Sequence, residues 1–586
     1  MASSASKVAS HSTTRWQWCL PLLIVVAGLW VYYNSLAGSF VYDDTLLNNP
    51  RLHHLWPPDA LVHTTRPLTD LLFSVNYVLG HSSPWGYHVV NLCIHLLAGL
   101  VLFGIVWRTL RRPILGNRYG HTAQWLAWVV TLVWVVHPLQ TESVTYIVQR
   151  SESLMGLFFL LTLLCTIRST EMAHRSWWIT AAIGACALGM LSKPTMAVTP
   201  LLVLTYDRCF LSKSYRQALY QRPWLYLGLV ITWSLLAIPL LELSGSQQNS
   251  TAGFNISQLG SVQYAMTQPG VILHYLRLVF WPHPLIIDYN WPLAKTWGVI
   301  LPPSLTLGCL LGATLWALRY QPPLGFLGSW FFLTLAPSSS IFPLRDLAFE
   351  HRMYLPLVAP IALAVLGGWT LLERWVPAYK FRRGFAIGLS GGAILALGIL
   401  TIQRNAIYHD PVTLWRSVIT QQPRNARAHA NLGTILISLG RYADATTYFT
   451  KALEFDASAP RFNPLERSRL HFNTGIAFEQ QGYFDQAIAH YTEALQISPE
   501  NWTTHVNLGN VLLQQGNLDQ AIAHYTEALR ASQGDWKAHF NLGVAYGQQG
   551  RFTEAASHFE EVLKLNPNYL EARRQLDAIR THQANS

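Results

Sequence analysis

The chain has 586 residues, too long for one ordinary domain, and only 12% of them are charged, about half the roughly 25% typical of soluble proteins. With 51% hydrophobic residues and a positive mean hydropathy, this composition excludes an ordinary soluble or disordered protein. Six cysteines lie in or beside apolar runs without a CxxC pair, which excludes a disulfide framework and a cysteine zinc motif.

Apolar runs of the kind that cross membranes fill the first 400 residues. We predict about eleven spans, near residues 17–37, 87–107, 122–136, 152–168, 177–192, 195–206, 224–242, 297–318, 323–341, 353–373 and 385–401. The runs 177–192 and 195–206 are short, so they could be two tilted spans or one re-entrant hairpin. Two amphipathic stretches, RPLTDLLFSVNYVLG from residue 66 and VILHYLRLVFWP from residue 271, are predicted to lie along the membrane interface.

The basic residues predict the orientation of these spans. If the N-terminus is cytoplasmic, the inner segments hold seventeen Lys and Arg residues against only Glu171, Asp207 and Glu373. Cytoplasmic loops carry such an excess, so we expect a cytoplasmic N-terminus and an extracytoplasmic C-terminal region. The same excess covers the formal net charge of +11, which therefore indicates topology and gives little support to a nucleic-acid partner. The long first apolar run, which has no clear cleavage site, is interpreted as a retained helix.

From about residue 426 the sequence becomes periodic. Gly475, Gly509 and Gly543 are spaced by 34 residues, the period of tetratricopeptide repeats, and an alanine and an aromatic residue follow each at fixed distances. We predict four helix pairs and a terminal helix that form an α-solenoid with a concave surface. The repeated Asn and Tyr/His positions could bind extended peptide backbone, or they could be solvated or interhelical contacts.

The predicted organisation is all-α, with a membrane domain at 1–402, a connecting segment at 403–425 and the repeats at 426–586. Within the span at 87–107, His88, Asn91 and His95 lie on one helix face. We interpret them as buried polar packing in preference to a metal site.

The predicted outer loops carry the candidate catalytic groups. Asp43 and Asp44 follow directly on the first span, and a carboxylate there can take a proton from an incoming hydroxyl. The other polar candidates on this face are Arg66, His137, Glu142, Lys193, Arg345, His351 and Arg352. Arg and Lys can hold a phosphate, so the combination suits transfer from a lipid-phosphate donor. Taken alone, an Asp-Asp pair after a helix could also be a solvated loop or a cap, and Glu350-His351-Arg352 could begin a helix.

Five motifs followed by repeats carry a family resemblance: FVYDD, RPL with YHVVNLCIH, HPLQTESVTYIVQR, LSKPT and EHRMYLP. In this order they resemble the transmembrane and tetratricopeptide-repeat O-mannosyltransferases and their prokaryotic relatives, over nearly the whole chain. The resemblance implies the C-type glycosyltransferase (GT-C) fold. It also implies a polyprenyl- or dolichyl-phosphate sugar donor, mannose in the first place, and acceptor hydroxyls of Ser and Thr. A single direct displacement would invert the sugar.

The resemblance also implies residue roles. Asp43 or Asp44 would be the catalytic base, with Asp44 favoured and the other carboxylate positioning the loop. The residues expected to bind the donor phosphate are Arg352, as first choice, His351, Arg345 and Lys193. Those expected to bind sugar or acceptor are Glu142, His137 and Arg66. The lipid-phosphate sugar is a co-substrate; no cofactor or metal ligand set is indicated, although the acidic pair could hold one divalent ion.

The sequence does not decide which molecule accepts the sugar or in which membrane the protein resides. The acceptor, expected to be a protein bound by the repeats, could instead be a glycolipid or a surface polysaccharide. The chain could also be a non-enzymatic scaffold anchored in the membrane. Three sequons, at Asn249, Asn255 and Asn501, fall in outer segments. The Gln-rich repeats nevertheless favour a bacterial cell membrane with periplasmic repeats over the endoplasmic reticulum membrane.

Overall fold

A computed structural model describes residues 19–41, 44, 47, 49–56, 64–172, 174–237, 260–340, 342–459, 462–532 and 534–585. Asp43 and the sequons at Asn249 and Asn255 therefore lie outside the described residues. The chain divides into two compact units, Met1–Leu414 and Trp415–Ser586. Its regular elements in the described ranges are helices, which confirms the predicted all-α class.

The first unit is built from sixteen described helices. They are Cys19–Tyr32, Pro67–Gly80, Pro84–Leu110, Pro113–Tyr119, Ala123–Val135, Thr141–Val144, Arg150–Arg168, Arg175–Ser192, Thr199–Tyr206, Tyr215–Gln221, Pro223–Ile231, Ser261–Phe280, Trp297–Tyr320, Pro322–Leu335, Val358–Trp375 and Tyr379–Ile407, and a further helix, Pro411–Gln421, follows them. Several begin with proline, whose fixed φ suits the first helical position and whose missing N–H costs nothing there.

The described helices confirm a multispanning membrane domain but not eleven spans. Five are long and apolar enough to cross a bilayer: Cys19–Ala37, Pro84–Leu110, Ile147–Arg168, Trp297–Tyr320 and Tyr379–Ile407. Three shorter apolar helices are Ala123–Val135, Pro223–Leu236 and Pro322–Leu335. A helix of this size is about 20 Å long, against a hydrocarbon core of about 30 Å.

The predicted span at 195–206 is not one regular α-helix. The 3-10 turn Pro194–Val198, the α-helix Thr199–Tyr206 and the π-helical turn Asp207–Leu211 follow one another directly. Among the described residues, this segment is not one of the five helices that are long and apolar enough to cross a membrane.

Buried polar side chains of helix Pro84–Leu110 fix the neighbouring loop. Asn91 donates from Nδ2 to the carbonyls of Val144 (3.2 Å) and Ile147 (3.3 Å), and its Oδ1 accepts from Arg150 Nε (2.6 Å). His95 contacts the Tyr354 hydroxyl through Nδ1 at 3.0 Å. These side chains therefore make the polar packing contacts expected from the sequence, and they hold the loop before helix Arg150–Arg168 in place.

The second unit contains the four predicted helix pairs and a terminal helix. The pairs are Ala426–Ser438 with Tyr442–Ser458, Pro464–Glu479 with Phe484–Ile497, Trp502–Gln514 with Leu518–Ala531, and Trp536–Gln548 with Phe552–Leu565, and the terminal helix is Leu570–Asn585. Close approach of the two helices requires glycine: a Cβ on Gly475 would lie 2.6 Å from the ring of Tyr491. Gly482, with φ +78°, makes the turn between the same two helices, in a conformation that favours glycine.

Candidate functional site

Asp44 joins two loops of the first unit. Its carboxylate is 1% exposed; Oδ2 accepts from the backbone N–H of Val41 and Oδ1 from that of Val148, both at 2.9 Å. The first contact closes a local turn and the second reaches the loop that Asn91 holds. Because both oxygens accept backbone N–H groups, this geometry suits a positioning role. The structure does not describe the neighbouring Asp43.

Glu142 and His351 form a second link between loops. Glu142 Oε1 lies 2.7 Å from His351 Nδ1, and Oε2 accepts from the His351 backbone N–H at 3.0 Å. Burial raises the pKa of Glu142 to about 7, although the His351 hydrogen bond and the charge of Arg404 both act to lower it. Burial and then the charge of Lys193 lower the pKa of His351 well below its usual value. His351 is therefore a neutral imidazole at pH 7, and its Nε2 has no hydrogen-bond partner in the described part of the chain.

Lys193 contributes the ammonium of this region. It forms an ion pair with Glu152, and the two side chains are 13% and 8% exposed. Burial lowers the pKa of Lys193, and Glu152 opposes that shift. Arg66 donates to the Ser151 hydroxyl at 3.1 Å, next to Glu152. The charges of Arg66 and Arg352 also lower the pKa of Lys193, which places these groups in one electrostatic environment.

Arg352, the first choice for the donor phosphate, is occupied by backbone carbonyls. Its guanidinium donates to the carbonyls of Asp346 (2.5 Å), Leu347 (2.9 Å) and Ser338 (3.2 Å). These bonds organise the segment that carries Arg345, which is half-buried. Arg352 thus holds the loop around the site, and most of its donor capacity is used in doing so.

His137 is likewise held on both ring nitrogens. Nε2 lies 3.0 Å from the Val279 carbonyl, and Nδ1 accepts from the Leu139 backbone N–H at 3.2 Å. Burial lowers the pKa of His137 to about 4, against the Val279 hydrogen bond. The neutral ring therefore starts the turn at Pro138 and ties it to helix Ser261–Phe280, with neither nitrogen left for a sugar.

The sequence analysis named Glu350 only as a possible helix start and did not predict that it is a second buried carboxylate with partners of its own. Glu350 accepts from the Ile286 backbone N–H (2.5 Å), the Tyr289 hydroxyl (2.9 Å) and Arg404 (3.5 Å). Burial raises the pKa of Glu350 to about 7, although the charge of Arg404 acts to lower it. The available signal was Arg404 itself, because a charge at the end of an apolar run requires a partner. We call the following residues the loop cluster: Arg66, Glu142, Glu152, Lys193, Glu350, His351, Arg352 and Arg404.

Asn405 was also missed, and it fixes the segment that leads to the acidic pair. It is fully buried; Nδ2 donates to the Val31 carbonyl (3.1 Å) and to Asn34 Oδ1 (3.3 Å). Its Oδ1 accepts from the Thr145 hydroxyl at 2.7 Å. His409 Nε2 lies 2.6 Å from the Asn34 carbonyl. The end of helix Tyr379–Ile407 therefore contacts both segments that Asp44 joins.

The loop cluster combines groups that suit an anionic ligand. An ammonium, several guanidinium groups and a neutral imidazole lie together, and Arg and Lys are the usual phosphate-binding side chains. Among the described residues, no three His, Cys, Asp or Glu side chains converge as a metal site. The geometry thus defines a multispanning helical membrane protein whose loops gather a polar site, followed by a repeat domain.

Comparisons with known proteins confirm the predicted resemblance. Residues 67–241 match the family described as dolichyl-phosphate-mannose-protein mannosyltransferase. Residues 426–458, 475–516 and 506–569 match tetratricopeptide repeat families. The chain is thus related to the O-mannosyltransferases that combine a transmembrane domain with tetratricopeptide repeats.

Several individual proteins similar to this chain are named Protein O-mannosyl-transferase. The chain is 24% identical over 562 residues to Protein O-mannosyl-transferase Tmtc3 of Drosophila melanogaster, with 82% of this chain and 59% of that protein covered. It is 27% identical to human Protein O-mannosyl-transferase TMTC1, with 74% and 54% covered. The mouse TMTC2 match is 32% identical but covers only 31% and 23%. The chain spans about six tenths of the length of the curated relatives it matches.

Solved structures of two other proteins are similar to less than a third of the chain. MamA is 20% identical, covers 28% of this chain and 84% of that structure, and gives a TM-score of 0.25. YrrB, titled a TPR protein with an unusual peptide-binding site, is 22% identical, covers 29% and 84%, and gives a TM-score of 0.26.

Proposed function

We propose that this chain moves a hexose, mannose in the first place, from a polyprenyl- or dolichyl-phosphate donor to Ser or Thr hydroxyls of proteins, with inversion. The observation that carries the proposal is the convergence of Lys193, His351 and Arg66 from three separate loops. That convergence supplies cationic and neutral N–H donors for one phosphate head group. The relatives named protein O-mannosyl-transferases support the same activity.

Within this proposal Lys193 is the main donor-phosphate ligand, in place of Arg352. The Lys193 ammonium has three donors and a single carboxylate partner, Glu152, so it can contact a phosphate oxygen while keeping that partner. Arg352 keeps its bonds to backbone carbonyls and positions the loop. The ring of His351, oriented by Glu142, offers Nε2 to the same ligand.

Asp43, the residue next to the anchored Asp44, is our candidate base. The acceptor oxygen attacks the anomeric carbon while the bond from that carbon to the phosphate oxygen breaks, and the phosphate leaves with the electron pair. The acceptor proton passes to the Asp43 carboxylate. Base on one side and leaving group on the other give inversion in one displacement. Asp44, held by two backbone amides, has a positioning role in this proposal.

The site faces the extracytoplasmic side in this proposal, and the repeats bind the acceptor protein there. The excess of basic residues in the alternate loops supports that orientation. A bacterial cell membrane, with the repeats in the periplasm, is the favoured location.

The test uses the full-length protein in detergent with radiolabelled polyprenyl-phosphate mannose and a Ser/Thr-rich peptide. We expect labelled peptide whose sugar has the anomeric configuration opposite to that of the donor. Glucose and galactose donors, supplied in parallel, test the choice of sugar. A glycolipid acceptor that takes the label while the peptide does not would overturn the protein-acceptor proposal. No transfer from any lipid-phosphate donor would overturn the activity itself.

A further inference from the structure

Three of the four repeats contain a pair of histidines that the proposed function does not use. One histidine lies two residues before the repeat asparagine, and the other follows the small alanine of the second helix by three residues. The three histidine pairs are His471–His490, His505–His524 and His539–His558. In each pair the two residues are nineteen positions apart and belong to the two helices of one repeat.

The geometry of the three histidine pairs is nearly identical. The two Nδ1 atoms are 3.2, 3.0 and 3.0 Å apart in chain order. The ring centroids are 5.4, 5.3 and 5.3 Å apart, with interplanar angles of 36°, 34° and 35°. The centroid separation exceeds the nitrogen separation by about two ring radii, so both Nδ1 atoms lie close to the line between the ring centres. The rings therefore meet head-on, nitrogen to nitrogen.

A head-on contact of this length between two Nδ1 atoms fits one proton shared by the two nitrogens. A metal ion about 2.0–2.1 Å from both nitrogens would have to lie off the line of 3.0–3.2 Å that joins them, whereas the Nδ1 lone pairs of head-on rings point along that line. A hydrogen bond from one Nδ1–H to the other Nδ1 fits this separation. In the second pair His505 Nε2 lies 3.0 Å from the Pro499 carbonyl. Since that carbonyl can only accept, neutral His505 is protonated on Nε2 and its Nδ1 accepts from His524.

A second proton on a pair removes the bond that joins its helices. Two protonated Nδ1 atoms at this distance would both be donors and would both belong to cations, so the rings must separate. Burial and then the charge of His471 lower the pKa of His490 to about 4. Burial and then the paired histidine also lower the pKa values of His524 and His558.

Charged neighbours of the pairs reduce this effect without cancelling it. Glu493 raises and Arg467 lowers the pKa of His471, although burial is the larger influence and lowers it. The charge of Glu527 raises the pKa of His524, and the charge of Glu561 raises the pKa of His558. Glu527 is itself paired with Arg530, and Glu561 with Lys564. Glu527 and Glu561 therefore face cations of their own.

We propose that the histidine pairs make the repeat domain proton-responsive, so that acid opens the second, third and fourth helix pairs and weakens the first much less. In the first repeat His429 faces Tyr448, with ring centroids 5.7 Å apart. Burial and the charge of Lys451 also lower the pKa of His429, but its Nε2 faces the Pro423 carbonyl and not a second histidine, so protonation there breaks no histidine–histidine hydrogen bond. The chain thus contains its own control helix pair, Ala426–Ser458, built on the same repeat pattern.

The direction of the pH effect follows from the lowered pKa values. An unfolded histidine takes up a proton near pH 6.5, whereas the paired, folded histidine resists it down to about pH 4 for His490. The unfolded state then binds more protons across this window, so stability is full above about pH 6.5 and is lost as the pH falls towards 4. For one pair the opening equilibrium should rise on the order of 30-fold between neutral pH and pH 5.

Hydrogen exchange of the full-length protein in detergent, measured at pH 7.5 and at pH 5, tests the proposal. The protection of each amide is corrected for its intrinsic exchange rate at the pH used. We expect protection of helix pairs Pro464–Ile497, Trp502–Ala531 and Trp536–Leu565 to fall by tenfold or more, and that of Ala426–Ser458 by much less. The triple variant His490→Gln, His524→Gln and His558→Gln should lose most of this pH dependence while remaining helical at pH 7.5.

Three results would overturn the proposal. One is an equal loss of protection in all four helix pairs, and another is wild-type pH dependence in the triple variant. The third is a change of protection on adding EDTA at pH 7.5, which would show that the pairs hold a metal ion. None of these measurements depends on sugar transfer, so the proposed function can fail or succeed independently.

Discussion

Two buried charged clusters lie at opposite ends of helix Arg175–Ser192. At its first residue, Arg175 donates to the Gln221 carbonyl at 2.6 Å, beside a cluster centred on Asp207. At its other end Lys193 belongs to the loop cluster. Asp207 accepts from Arg222 (2.9 and 2.7 Å), Ser212 (2.7 Å) and Tyr226 (2.6 Å).

The two clusters differ in how completely their charges are matched. Around Asp207 one carboxylate and one guanidinium are paired through both oxygens, and two hydroxyl groups fill the remaining positions. In the loop cluster, two carboxylates have pKa values raised to about 7, and the ring of His351 meets a carboxylate through Nδ1 alone. A closed ion pair holds helices together, whereas a cluster with partly matched charges has capacity to bind. Perturbed ionisation of this kind is concentrated at functional sites.

The largest effect on folding is expected at Asp207. Asp207→Asn leaves the Arg222 guanidinium buried without its counter-charge, which costs about 3–5 kcal/mol of the free energy of unfolding. Sugar transfer per folded molecule should be unchanged. Thermal unfolding in detergent measures the first quantity. Glu171→Gln, which removes an exposed partner of Arg108 and Arg112, is the matched control and should cost less than about 1 kcal/mol. Equal losses would mean that the Asp207 pair is not a special structural element.

Stability of the loop cluster should fall as the pH rises. Glu142 has a folded pKa of about 7, above the value of about 4.3 for an unfolded glutamate. The folded state therefore keeps a proton that the unfolded state has lost, and between pH 5 and pH 7.5 this costs about 2 kcal/mol. Hydrogen exchange of the segments 137–152 and 342–357 measures the change. Glu142→Gln should make this profile shallower but not flat, because the pKa of Glu350 is also raised to about 7; a profile as steep as that of the wild type would contradict the assignment to Glu142.

Removal of the Lys193 ammonium should weaken donor binding. Lys193→Met keeps the length of the side chain but deletes a charge-assisted contact to phosphate, so the KM for the lipid-phosphate sugar should rise on the order of tenfold. The kcat should change much less. Lys213→Met, at an exposed lysine, provides the control with the same change of charge. An unchanged KM in Lys193→Met would place the phosphate elsewhere.

A smaller effect is expected at Asn405, which we regard as a positioning residue. Asn405→Ala removes the contacts to Val31, Asn34 and Thr145, so kcat should fall severalfold while the donor KM stays the same. Thr401→Val deletes a comparable buried bond, to the Val136 carbonyl at 2.7 Å, one turn earlier on the same helix. That control should retain the wild-type kcat. Equal losses in both variants would indicate general loosening of the helix.

The repeat domain could be predicted nearly completely from the sequence, because its signals are local and repeat. Gly475 and Tyr491 occur at a fixed spacing, and the structure brings them together as that spacing requires. Spans were harder to predict. Apolar composition indicates burial, but it does not show that residues 194–211 divide into a 3-10 turn, an α-helix and a π-helical turn.

The sequence predicted which residues belong to the loop cluster better than it predicted which of them contact each other. The sequence identified Glu142, Lys193 and His351 as polar groups on one face, and the structure places them in one environment. Which oxygen meets which nitrogen depends on contacts between residues up to 209 positions apart, and no periodicity encodes these. Arg404 and Asn405 were missed for the same reason, since their partners lie far away in the sequence.

The most direct test of the account compares Asp43→Asn with Asp44→Asn in transfer from labelled polyprenyl-phosphate mannose. If Asp43 is the base, Asp43→Asn should lower kcat by about 10²- to 10⁴-fold, with an unchanged donor KM and unchanged thermal unfolding. Asp44→Asn should lower the unfolding temperature and keep more of the kcat. Full turnover in Asp43→Asn would contradict the central claim.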